Sequence, residues 1–261
     1  MIVTDMTGRQ VILPAYPRRI ISLVPSQTEL LYDLGLEAEV AGITKFCVHP
    51  ERWFRSKMRI GGTKNVHMDR IAALQPDLIL ANREENMQEQ VMLLAESYPV
   101  WVSDVRTVAQ AVEMIRQVGM LTGREAKAAA LAREIEAGFS ALRQAAGPQK
   151  RVAYLIWRNP WMSIGRDTFI HDVLGHLGWE NVFADRERYP SFTADELAAR
   201  RPELVLLSSE PFPFGEKHVA ELREMVPGAE IRLADGEMFS WYGSRMAAAV
   251  SYLQTFAGAI Q

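Results

Sequence analysis

The chain has 261 residues, of which 48% are hydrophobic and 23% charged, and a formal net charge of −3. This composition supports a sizeable core in one large or two small domains, and the mild acidity with dispersed Lys and Arg argues against a nucleic-acid partner. No run of about 18 apolar residues exists to span a membrane, and the single Cys47 excludes an internal disulfide.

Along the chain, MIVTDMTGRQVILP has no basic start followed by an apolar stretch, so no signal peptide is read. The expected location is cytoplasmic if the sequence is complete as given, and periplasmic or cell-envelope if a leader has been removed. Arg19–Val24 reads as a short buried strand. The following SQTELLYDLG reads as a helix with Ser26 and Glu29 at capping-box spacing and Gly35 as its stop. A strand running into a helix opens a parallel α/β unit. Asp69–Leu74 is a short helix ended by Pro76, and Asp77–Asn82 is the next buried strand. Asn86–Ser97 is helical, Pro99–Val102 a strand, and Thr107–Leu121 a helix. The segment Arg124–Gly147 is rich in Ala, Glu, Lys, Arg and Leu and predicts one long helix, with Gly138 its weak point and Gly147-Pro148 its end.

The opening pattern then returns. Arg151–Ile156 is a strand, Asp167–Leu177 a helix capped by Asp167, and Thr193 with Glu196 forms a second capping-box spacing. Glu203–Ser208 is a strand, Glu216–Met225 a helix, Glu230–Leu233 a strand and Tyr242–Phe256 the closing helix. DRIAALQPDLIL (69–80) and DELAARRPELVL (195–206) share Asp, Ala-Ala, Pro, the acid after Pro and the apolar run beyond it. The repeat predicts an α/β fold of two lobes with parallel sheets, 1–122 and 148–261, joined once by the long helix of 123–147.

Two lobes joined once form a cleft lined by loops at the carboxyl ends of parallel strands. The candidate lining is Ser26 and Gln27 after Pro25, Phe46 after Lys45, Asn82 before Arg83, Trp157 to Trp161, Tyr189 after Arg188, and Phe239 to Arg245 with Trp241 and Tyr242. Aromatic rings with a few polar groups suit a bulky planar ligand. The helix starts at Ser26–Thr28 and Thr168–Phe169 are candidate holders of an anionic group. None of the five His has zinc spacing with a second His or Cys. Cys47 and His49 in KFCVHP are the minor alternative for a metal, or for a nucleophile pair lacking a third orienting group. No dinucleotide fingerprint, Walker loop or nucleophile elbow is present, so an enzyme is not expected.

RIISLVPSQTELLYDLGL, TKFCVHP, GGTKN, DRIAALQPDLILANREEN and the long helix resemble the substrate-binding proteins of ABC importers for cobalamin, haem and iron–siderophores, the helical-backbone metal receptors. The resemblance runs from VTDMTGRQVILP to the last helix. It implies two Rossmann-like lobes in the class III periplasmic-binding-protein architecture, a rigid interlobe helix, little domain closure, and a metal chelate as cargo with no intrinsic cofactor. It also implies a monomer that meets an ABC permease in the membrane, docking through one acid on each lobe; by motif position these are Asp69 and Asp195. In cobalamin-binding members Phe46 falls at a cleft Tyr, Tyr189 at a cleft Trp, Trp157 near a cleft Phe and Arg245 near a cleft Arg, while Thr63 and Asn82 stand where those members carry Trp. The expectation is a corrinoid receptor first and an iron–siderophore or haem receptor next. A cytoplasmic ligand sensor or carrier on the same scaffold is the alternative.

Overall fold

The computed structural model describes residues 1–260. Contacts divide the chain into two units: Met1–Val105 with 110–133 and 242–245, and Arg106–Ala109 with 134–241 and the remainder from Met246. Among the described residues no helix is long and apolar enough to cross a membrane.

The first unit opens with an antiparallel hairpin, β1 (Ile2–Thr4) and β2 (Gln10–Ile12). Then follow β3 (Ile20–Ser22), α1 (Pro25–Asp33), β4 (Val40–Ile43), α2 (Glu51–Ser56), β5 (Met58–Arg59), α3 (Met68–Leu74), β6 (Leu78–Asn82), α4 (Gln88–Ala95) and β7 (Val100–Ser103). The sheet order is β5-β4-β3-β6-β7, and every pairing in it is parallel. Both faces of such a sheet are covered, so its strands read as continuous apolar runs; β3, β6 and β7 are buried throughout. Ile21, Leu23, Ile79, Ala81 and Val102 form one packed cluster with Ile71 of α3 and Leu94 of α4.

The capping box expected from Ser26 and Glu29 does not form. Val24 is the N-cap and makes no side-chain cap bond, because Pro25 occupies the first helical turn, where its fixed φ fits and its missing N–H leaves nothing unsatisfied. Glu29 is committed elsewhere, as described below. Gly35 does end the helix, at φ +81.

Helices α5 (Val108–Thr122) and α6 (Glu125–Gln144) follow. At 1.5 Å per residue the 20 residues of α6 span about 30 Å. Gly138 is required there: a Cβ would stand 2.6 Å from Cγ2 of Val250. The glycine that weakens the helix locally is what lets another helix approach.

The second unit contains β8 (Arg151–Trp157), β9 (Trp161–Ser163), α7 (Phe169–His176), β10 (Glu180–Asn181), β11 (Ser191–Phe192), α8 (Ala194–Ala199), β12 (Leu204–Ser208), α9 (Glu216–Met225), β13 (Glu230–Ala234), α10 (Gly236–Ser240) and α11 (Arg245–Gly258). Its sheet runs β11-β9-β8-β12-β13, with β10 also on β8. The centre, β8-β12-β13, is parallel, but β9 is antiparallel to β8 and β11 antiparallel to β9. IWRNPWMS is thus a hairpin rather than the loop expected, and Trp161 begins a strand. Thr168, not Asp167, caps α7, its hydroxyl accepting from the His171 N–H; Asp167 instead accepts from the Arg188 N–H at 2.5 Å. Thr193 caps α8 as expected, accepting from the Glu196 N–H at 3.2 Å. The Glu196 carboxylate serves Arg186 and Arg200, so that cap is one-sided. The last helix starts three residues later than expected because Asp235 caps the separate short helix α10 and Gly243, at φ +125, turns the chain before α11.

The two copies of the repeat share one geometry. Each is a short helix, then a residue with positive φ immediately before Pro: Gln75 at φ 43 before Pro76, Arg201 at φ 47 before Pro202. A residue before Pro is disfavoured in the right-handed helical region, so the helix ends there without glycine. The acid after Pro then has one task in both copies. Asp77 accepts from the N–H groups of Arg18 and Arg19, leading into β3; Glu203 accepts from the Arg151 N–H at 2.8 Å, the start of β8. Each acid satisfies donors where a central strand begins.

Candidate binding site

In the first unit the predicted site residues fall at the carboxyl ends of β3, β4 and β6. Phe46 is 51% exposed, with the Lys45 ammonium 5.0 Å from its ring centre. Ser26 is buried at the first turn of α1. Gln27, expected to line the cleft, is wholly buried: its amide donates to the Ser103 hydroxyl and lies against Met114. Its place in the third helical position turns it into the core, so this unit does not offer it to a ligand. Asn82 is also buried. Its Oδ1 accepts from the N–H groups of Glu84 (2.8 Å) and Glu85 (3.0 Å), and its Nδ2 donates to Ser103, so its side chain shapes the turn beyond β6. At α1 the Thr28 N–H makes the first intrahelical bond, to Val24 O, and Pro25 brings no N–H to the helix start.

Residues 242–245 cluster with the first unit. Arg245 lies there as a forked pair with Glu29, Nε to Oε2 at 2.8 Å and Nη2 to Oε1 at 2.7 Å, both side chains largely buried. Bidentate charge-assisted bonds of this kind fix the guanidinium firmly. Tyr242 is half-buried.

Cys47 is buried between the hydroxyls of Thr28 and Thr44, each 3.1 Å from Sγ. Burial pushes its thiol up, against the hydrogen bonds of Thr28 and Thr44. A thiol held protonated in the core is a poor metal ligand and a poor nucleophile. Among the described residues no group of three or more His, Cys, Asp or Glu is arranged to hold a metal.

The second unit carries the aromatic wall. Trp157 ends β8 at 40% exposure, with Phe212 in a T-shaped contact at 5.7 Å. Trp161 has several partners: Phe214 lies parallel at 6.1 Å, Phe192 stacks at 6.5 Å, and the Arg158 guanidinium sits 5.4 Å from its ring centre. Arg158 is held in turn by both oxygens of Glu221, at 2.9 and 2.7 Å. Phe239 is core, against Tyr154, Tyr252 and Phe256. Tyr189 is 36% exposed beneath the Arg188 guanidinium. Trp241 donates its Nε1–H to Glu210 Oε1 at 2.8 Å, which also accepts from the Ser240 hydroxyl. A cavity of about 580 Å³ opens at the carboxyl ends of β12 and β13.

Sequence reading passed over the segment SSEPFPF (208–214), which supplies Ser209, Glu210, Phe212 and Phe214. A signal was there: two aromatics, two prolines and an acid directly after a buried strand, at the sheet edge where α/β folds bind ligands.

Asp69 and Asp195 stand exposed in the first turns of α3 and α8, equivalent places in the repeat.

Two parallel-centred α/β units, a 20-residue helix shared between them and aromatic loops at the strand ends define a two-lobed ligand-binding protein. The chain belongs to the periplasmic binding protein family, whose sequence pattern matches residues 20–224. That family consists of binding proteins rather than enzymes. A vitamin B12-binding protein of Salmonella typhimurium is 29% identical over 197 residues, covering 74% of this chain and 73% of that protein. The uncharacterized ABC transporter substrate-binding lipoprotein YvrC of Bacillus subtilis is 25% identical over 215 residues, with 78% and 68% covered. Among solved structures, the periplasmic vitamin B12-binding protein of Vibrio cholerae superposes with a TM-score of 0.81 at 20% identity, covering 93% of this chain and 97% of that one. The apo haem-binding protein RhuT of Roseiflexus gives 0.81 at 21%, with 94% and 99% covered. These structural likenesses show the fold.

Proposed function

We propose that this protein is the substrate-binding component of an ABC importer and captures a metal-chelate nutrient, a corrinoid first and an iron–siderophore or haem next. The observation that carries the reading is Trp157, a large ring left 40% exposed at the end of a central strand, with Phe212 beside it in a T-shaped contact. An exposed Trp held by a neighbouring ring offers a stacking surface to a flat ligand. Phe46, Tyr189, Trp241 and Tyr242 add aromatic surface, and Ser26 and Asn82 shape the strand ends near which it binds. Trp161 acts as the wall behind, and Arg245 as a fixed group rather than a mobile cation. The vitamin B12-binding relatives support the corrinoid, and the lipoprotein relative supports the cell envelope as the location. Asp69 and Asp195 dock on the permease, and the protein works as a monomer.

Calorimetric titration with cyanocobalamin, haem and a ferric hydroxamate tests this directly. One-to-one binding of a chelate is expected, and Trp157→Ala with Trp241→Ala weakens it by about 2–4 kcal/mol. Silence with all three ligands overturns the reading. Unchanged affinity in the double variant removes the stacking assignment. Asp69→Lys with Asp195→Lys is expected to abolish uptake in cells while leaving the titration unchanged.

A further inference from the structure

His218 is a buried titratable group in contact with the aromatic wall. It is 4% exposed, in the first turn of α9, and meets two rings of the segment 208–214: Phe212 and Phe214 each lie 5.3 Å from the imidazole centre in a T-shaped contact. Those two rings carry the tryptophans. Phe212 makes the T-shaped contact with Trp157 at 5.7 Å, and Phe214 stacks on Trp161 at 6.1 Å. One imidazole thus touches a ring partner of each tryptophan.

The same imidazole ties down the end of that segment. Gly215, the N-cap of α9, has no side chain with which to cap the helix, and its N–H donates to His218 Nδ1 at 3.0 Å. A residue at the third helical position reaching back to the N-cap N–H is half of a capping box, a place ordinarily taken by Glu or Gln. The His218 N–H returns a bond to Gly215 O at 2.9 Å. A backbone N–H can only donate, so Nδ1 carries no hydrogen in this arrangement. An imidazolium has hydrogens on both ring nitrogens and cannot accept the bond. The carboxylate facing His218 is Glu221, one turn on in α9, and both its oxygens already accept from Arg158 of the β8–β9 turn. α8 and β13 also pack on α9, and there Glu196 pairs with Arg200 and Glu230 with Arg232. A proton on His218 therefore costs the cap bond and meets a carboxylate that is already engaged.

We propose that His218 is a pH-sensitive positioning residue: with Nδ1 unprotonated it holds Phe212 and Phe214 against Trp157 and Trp161, and its protonation frees the Gly215 end of the 208–214 segment and weakens ligand binding in acid. The inference rests on the reading of Trp157 as a ligand surface.

The test uses the whole protein and two variants. His218→Gln keeps an acceptor for the Gly215 N–H and does not titrate; His218→Leu fills the space without an acceptor. The Trp157 indole N–H resonance, assigned by its loss in Trp157→Phe, is followed by NMR from about pH 8 to about pH 5. It is expected to shift in the parent, to stay in place in His218→Gln, and to lie near the acid position at every pH in His218→Leu. Each protein is titrated over the same range with cyanocobalamin, haem and a ferric hydroxamate. For the chelate that binds, the parent's affinity is expected to fall on the order of tenfold toward acid, and that of His218→Gln to change by about twofold or less. His218→Leu is expected to bind weakly throughout. A Trp157 resonance that ignores pH, or that moves equally in the parent and His218→Gln, overturns the positioning role, and so does a chelate bound by both with one pH profile. If the leucine variant does not fold, the parent and His218→Gln decide alone. If no chelate binds, the metal-chelate reading falls and the Trp157 resonance still decides the inference.

Discussion

The two units use one construction for different purposes at their strand ends. In the first, the carboxyl edge of an all-parallel sheet is closed by a polar network. Gln27, Asn82 and Ser103 bond to one another or to the backbone, and Asn86 reaches the carbonyls of Leu23 and Thr63. In the second, an antiparallel edge of β9 and β11 brings Trp161 and Phe192 into a run of rings, and a cavity lies beside it. Buried amides that bond one another specify a rigid edge. Rings with one face or edge outward leave surface for a ligand. The comparison teaches that a duplicated scaffold does not imply a duplicated site: the sequence repeat covers helix, Pro and strand, while the loops that follow the strands diverge.

The comparison breaks most visibly in the core. Leu80 and Leu206 hold the same place after Pro in the two copies and are both fully buried. Each is expected to lose about 2–5 kcal/mol of stability on truncation to Ala, measured by denaturant unfolding. A loss confined to one copy would show that the strands are not equivalent. Next in size is Gly138→Ala. The added Cβ meets Val250 at 2.6 Å, so overpacking of about 1–3 kcal/mol is expected despite the better helix propensity of Ala. A rise in melting temperature would refute the close helix approach. Smaller still are Asp77→Ala and Glu203→Ala, which each remove an acceptor at the start of a central strand. Matched losses of about 1 kcal/mol are expected, and unequal ones would sharpen the distinction between the units.

The smallest effect is in pH. Hydrogen bonds from Arg158 hold the Glu221 carboxyl below the ordinary carboxylate value, against the opposing effect of burial. A group depressed in the folded state contributes stability that is present above its unfolded value and fades as pH falls through its folded one. Acid unfolding of Glu221→Gln is therefore expected to show a shallower pH dependence below about 4.5 than the parent. Parallel acid profiles would show that the Arg158 pair adds nothing to stability.

Much of this fold is legible in the amino-acid order. The helix–Pro–strand repeat, the buried runs at 78–82 and 204–208 and the helix of 125–144 follow from patterns local to each segment, because periodicity, proline and propensity act over a few residues. The short pieces β4, α2, β5 and β11 escape such reading, being too brief for a period to show. For the candidate site, the aromatics were visible as residues but not as surfaces. Trp157 and Trp161 lie four positions apart in one hairpin, yet the first is left 40% exposed beside Phe212 while Phe192 and Phe214 stack on the second. Arg245 stood in the sequence as a candidate lining residue, while the structure commits its Nε and Nη2 to Glu29, far away in sequence. The sequence by itself determined the longer helices and strands and that the helix–Pro–strand unit comes twice. The tertiary structure decided which rings face outward, which charges are neutralised and where a cavity remains, because those depend on partners brought together only when distant segments pack.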